Sequence, residues 1–179
     1  SYQLGWLNPI DGFHAFTVIL AAVFLLAFYK FASPRLGRPA AWMAVINLST
    51  FPRFWADMHF NVKDVPEALF FGLTLLAYWQ WHEKPNWQRA LVTGLLFGCA
   101  MAIKANAIFI PAILFASILP WNLRLSDWEA SVQQLLKRLG HYTLMGTSAM
   151  SLYILSWPFL YAAPMPRLKS YWAYIFSQG

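Results

Sequence analysis

The run Phe13 to Phe31 limits the fold more than any other stretch of the sequence. It holds 19 residues whose only charge is Lys30, one residue from its end. As a helix it is about 28 Å long, against about 30 Å of hydrocarbon in a bilayer. A soluble domain has few places for such an element. Composition extends the point to the whole chain: 59% of the residues are hydrophobic and 11% charged, where globular domains carry roughly 25% charge. Ten Trp and eight Tyr suit helices that leave hydrocarbon for headgroups. The sequence therefore predicts an all-α, polytopic membrane helix bundle.

Five further apolar runs follow, at 40 to 55, 65 to 81, 90 to 103, 105 to 121 and 141 to 163, for about six transmembrane helices. Pro52 and Arg53 weaken the end of the second run, and Lys104 alone separates the fourth from the fifth. Gly94, Gly98 and Ala102 place small residues on one helix face, which lets another helix approach closely. Residues 124 to 140 differ in kind. Ser126 and Glu129 have capping-box spacing, and Trp128, Val132, Leu135, Leu136 and Leu139 recur at helical intervals, which predicts a helix lying on the membrane surface. Residues 1 to 12 read as a loop, with Asn8-Pro9 and Asp11-Gly12 turn pairs. Residues 164 to 179 read as a basic, aromatic interfacial segment. The missing initiator Met and signal pattern suggest an internal fragment.

Six spans place the connecting loops alternately on two sides. Lys30, Arg35, Arg38, Lys84, Arg89, Arg124, Lys137 and Arg138 fall on one; Arg53, Lys63, Lys104, Arg167 and Lys169 fall on the other. Eight cations against five make the first side cytoplasmic. The net charge of +6 is then orientation charge and lipid affinity rather than a sign of nucleic acid. The single cysteine, Cys99, excludes a disulfide within the chain.

On the outer side, Pro52 to Pro66 is the longest polar interruption. Asp64 suits a helix N-cap, with Pro66 and Glu67 in the first turn. A site carboxylate would occupy the same position. Lys63 could snorkel to headgroups. Asp57, His59, Asn61 and Lys63 alternate with apolar residues as in an extended segment, while Arg53, Asp57, Asn61 and Asp64 would share one face of a short helix. Both conformations stay open. Asp57, His59 and Asp64 carry donors suited to a divalent metal, at no standard ligand spacing. Lys104 and Asn106, at a helix start, offer an ammonium and amides to a phosphate; a snorkelling lysine in a tight turn is the plainer alternative. His14, His82 and His141 sit at span ends, where interfacial packing explains them. The chain has no phosphate-binding glycine loop, no nucleophile elbow and no paired-cysteine or zinc-protease motif.

The loop at 52 to 66, the glycine-bearing helix that ends in Lys104-Ala105-Asn106, and the late Trp157-Pro158-Phe159-Leu160 with Pro164-x-Pro166-Arg167-Leu168 have a familiar order. In these segments the sequence resembles the dolichyl-phosphate-mannose protein mannosyltransferase family and its bacterial relatives, including enzymes that put aminoarabinose on lipid A. The resemblance implies a C-type glycosyltransferase fold that takes sugar from a polyprenyl phosphate on the outer, periplasmic or lumenal, face. It implies a single inverting displacement onto a protein or lipid acceptor, with cations or a divalent metal holding the departing phosphate. Asp64 corresponds to the second-loop acid. Lys63, Lys104, Arg167 and Lys169 are the outer-face cations for phosphate. The family's principal acid lies in the first outer loop, of which residues 1 to 12 would be the tail, and Asp11 stands too close to the helix to take that role. Two other classes stay open: a non-enzymatic membrane assembly subunit, and a lipid or sugar transporter, for which inverted repeats would be expected.

Overall fold

The structure, a computed structural model, describes residues 9–61, 63–122 and 128–177. Among these residues every regular element is helical. Helix α1 spans Pro9–Leu36, α2 Arg38–Thr50, α3 Pro52–Phe60 and α4 Asp64–Glu83. They are followed by α5 Trp87–Ile103, a 3-10 turn Ala105–Ile108 leading into α6 Phe109–Asn122, then α7 Trp128–Ser156 and, beyond a 3-10 turn Pro158–Leu160, α8 Pro164–Ser177.

Side-chain contacts give the direction of each pass. Leu20 and Ala21 of α1 cluster with Val65 and Leu69 of α4, Phe31 meets Trp79 edge to face, and Arg35 pairs with Glu83. Contacts that advance together in both helices make α1 and α4 parallel. In the same way a Cβ at Gly94 would strike Ser148 and Met145, and one at Gly98 would fall 2.8 Å from the Ala149 carbonyl, so α5 and α7 are parallel and nearly touching. The expected small-residue face is thus a helix contact. Helices α1, α2, α4, α5, α6 and α7 therefore pass alternately between two ends. One end, called the head here, carries α3, the starts of α1 and α4, Lys104 and α8. The other, the foot, carries Arg35, Glu83, Arg89 and Arg138.

Local chemistry shifts several boundaries. Helix α1 starts at Pro9, before the expected loop end, because proline suits a first helical position and Asp11 suits the positive end of the helix. It runs through Pro34 and ends at Gly37, whose φ of 84° makes the reversal that a side chain would resist. The second pass stops at Thr50 rather than near Trp55. Pro52 holds Phe51 extended (φ −64°, ψ 118°) and begins α3, so of the two conformations open to this stretch the short helix holds over Pro52–Phe60. The surface helix expected at 124–140 and the span expected at 141–163 prove to be one helix from Trp128 to Ser156. Gly140 has open space around it and does not break the helix. Ser126 of the expected capping box lies outside the described residues. Among the described residues one helix, His14–Leu36 within α1, is by itself long and apolar enough to cross a membrane.

Foot contacts close the bundle. Arg35 makes two hydrogen bonds to Glu83, of 3.2 and 2.5 Å, and Glu83 also accepts from Trp79 Nε1 at 3.0 Å. Asn86 caps α5 by accepting from the Arg89 amide at 2.8 Å, and Arg89 donates to the Gln80 carbonyl at 2.6 Å.

Candidate functional site

Asn61 ends α3 and starts α4. Its Oδ1 accepts from the amides of Lys63 (3.3 Å) and Asp64 (2.9 Å), the work expected of an N-cap aspartate. Asp64 is consequently the first residue of α4 rather than its cap, and its carboxylate is turned outward from the helix start. Asn61 Nδ2 donates to Asp64 Oδ2 at 3.0 Å, and Lys104 Nζ donates to Asp64 Oδ1 at 2.8 Å. Both carboxylate oxygens are thereby engaged, one by a neutral donor and one by a cation.

Lys104 reaches this position because the chain breaks there. Its own backbone is extended (φ −152°, ψ 141°) between the end of α5 and the 3-10 turn. Lys104 is therefore at a helix end and not at mid-helix, where it would cost about 2.5 to 3.5 kcal/mol in hydrocarbon. The Lys104 hydrogen bond, then that of Asn61, then the Lys104 charge hold the Asp64 carboxyl below the ordinary aspartate range. Reciprocally, the hydrogen bond and charge of Asp64 raise Lys104. The two side chains are 41% and 57% exposed, so the pair can exchange partners with a solute. An exposed pair contributes little to stability.

The other expected site residues are distributed around this pair. Asp57 faces Arg53, 3.4 Å away along α3, and not Asp64. His59 Nδ1 donates to the Trp55 carbonyl at 2.8 Å, and its ring lies beside the Trp55 indole. Lys63 is exposed and reaches Asp64 through its charge alone. Asn106 is exposed in the 3-10 turn. Arg167 Nη1 donates to the Phe159 carbonyl at 2.5 Å with its guanidinium over the Phe159 ring, so it locks α8 to the preceding turn. Lys169 is exposed on α8. Among the described residues no three His, Cys, Asp or Glu side chains converge, so Asp57, His59 and Asp64 do not form the three-ligand metal set.

Beside Lys104 opens a recess of about 230 Å³ between the end of α5, the end of α7 and α8. Tyr153, Ser156, Trp157 and Tyr171 line it; the sequence singled out Trp157 only as part of the late Trp-Pro-Phe-Leu segment, and the other three not at all. The one available sign was Tyr153 and Trp157 at i and i+4, one helix face, although Trp157 lies just beyond the end of α7. Tyr171 joins them only because α8 folds back.

Residues 8–157 match a family described as dolichyl-phosphate-mannose-protein mannosyltransferase. No curated protein and no solved structure matches the chain.

Proposed function

This chain belongs to the dolichyl-phosphate-mannose-protein mannosyltransferase family, a family of integral membrane glycosyltransferases, and from that premise we propose that it uses a polyprenyl-phosphate sugar as donor. The six passes cross the membrane, with the head on the periplasmic or lumenal side. The acceptor is a hydroxyl of a protein or lipid. Transfer is a single displacement with inversion. The acceptor oxygen forms a bond to the anomeric carbon, the bond from that carbon to the phosphate oxygen breaks with its electron pair, and the acceptor proton passes to a carboxylate.

The observation that carries this reading is the Asp64–Lys104 pair at the head. A lysine there can meet a lipid phosphate at the membrane surface and offset the charge that grows on it as the sugar leaves. Asp64 is poorly suited to take the proton, because Lys104 and Asn61 already stabilise its charged form. It acts as a positioning residue that holds the ammonium at the head. The proton acceptor is a carboxylate of the first outer loop, ahead of α1, as the family resemblance implies. Lys63 and Lys169, both exposed at the head, add to the attraction for an anionic donor. A divalent metal on the phosphate is compatible with this chemistry.

The test is transfer of radiolabelled sugar from a polyprenyl-phosphate donor by the full-length protein in vesicles. Transfer that requires Lys104 supports the reading. A wild-type protein that binds no polyprenyl phosphate would overturn it.

A further inference from the structure

We propose that the recess formed by Tyr153, Ser156, Trp157 and Tyr171 seats the sugar ring of the lipid-linked donor, with the anomeric phosphate at Lys104. This assignment rests on the donor class proposed above and adds to it where the sugar is recognised. Size is the first argument. Drug-sized ligands occupy pockets of roughly 300 to 1,000 Å³, and a recess of about 230 Å³ suits a smaller group such as one monosaccharide. A polyprenyl chain is far larger and has the bilayer to lie in.

Wall chemistry is the second argument. Tyr171 meets Trp157 nearly edge-on, with ring centroids 4.7 Å apart at 86°, and Tyr153 meets it at 5.8 Å and 62°. The three rings fix one another, so the recess is formed before a ligand arrives. The surface that the recess exposes is mostly polar, which suits the hydroxyls of a sugar. Ser156 Oγ donates to the Tyr153 carbonyl at 2.9 Å and keeps its lone pairs for a sugar hydroxyl. The tyrosine hydroxyls can donate or accept.

Position is the third argument. Lys104 both lines the recess and holds Asp64. A sugar in the recess therefore has its phosphate linkage beside the one cation that lines the recess, at the edge facing α4.

The experiment compares two probes, polyprenyl phosphate and polyprenyl-phosphate mannose, for binding to the full-length protein in nanodiscs. Tyr171→Leu and Trp157→Leu are each expected to weaken the sugar-bearing lipid about 5- to 10-fold, the scale of one lost aromatic contact, while polyprenyl phosphate changes less than about 2-fold. Lys104→Met weakens both lipids. Equal loss for both probes in the recess variants, or no loss for either, would overturn the sugar seat. Wild-type protein that binds neither probe would overturn the donor class itself, which keeps the two failures distinct. Should Trp157→Leu not fold, Tyr171→Leu on the peripheral α8 decides alone. The thermal midpoint of each variant reports its folding.

Discussion

The Lys104 ammonium lies 2.8 Å from Asp64 Oδ1, joining the break after α5 to the first turn of α4 across 40 residues of sequence. Asn61 holds the other carboxylate oxygen, so the Asp64 side chain has little rotational freedom. This geometry separates the role of Asp64 from that of a helix cap, because the capping oxygen belongs to Asn61.

Asp64→Asn should leave the protein at normal levels in the membrane, since the amides of α4 keep their acceptor in Asn61. Sugar transfer should fall about 10- to 100-fold, as for groups that orient a residue in contact with substrate. Near-normal transfer would show that Lys104 needs no carboxylate to hold it.

Lys104→Met keeps much of the apolar stem and removes the charge. Donor affinity should drop about 10-fold or more, and Lys104→Arg should recover part of it. Unchanged affinity for polyprenyl phosphate in Lys104→Met would reduce this residue to a helix-end lysine.

The pair also has a pH signature. Asp64 is lowered from 3.8, so its contribution to stability is present above that value and is lost as pH falls through its lower folded value. Lys104 is raised from 10.5, so its contribution is present below that value and is lost as pH rises through its higher folded one. The difference in thermal midpoint between wild type and Asp64→Asn should therefore stay flat from about pH 5 to 9. It should shrink only under more acidic or more alkaline conditions. A difference that changes midway through this window would show that another group controls the pair.

Packing between α5 and α7 gives a contrast within one residue type. Gly94→Ala drives a methyl into Ser148 and the Met145 backbone, and should cost about 1 to 3 kcal/mol. Gly146→Ala meets nothing within 4 Å and should be neutral or stabilising by about 0.5 to 1 kcal/mol. Thermal unfolding in detergent measures both.

Topology can be checked by cysteine accessibility in a Cys99→Ala background. Single cysteines at positions 57 and 84, at the head and the foot, should label from opposite sides of sealed vesicles. Labelling from one side would refute the six crossings.

Hydrophobic runs, prolines and glycines made the helical character, the break at Lys104 and the small-residue face legible, because each depends on residues within a turn or two of one another. Pro52 also carried the local instruction to end α2 and begin α3, although its place in a polar stretch disguised it as part of a loop. The continuity of α7 was not legible. Amphipathic and apolar halves differ in solvent preference, yet the helix runs unbroken through Gly140, and edge-on packing of the half-buried His141 and Tyr142 against Trp81 sets the path. The pairing of Asp64 with Lys104 and the meeting of Tyr171 with Trp157 belong to tertiary structure alone. Sequence supplied a carboxylate at one helix start and a lysine at another break. Only the antiparallel packing of α4 against α5 decides that these two ends coincide at the head, because charge attraction between exposed groups is too weak to set the register of two helices.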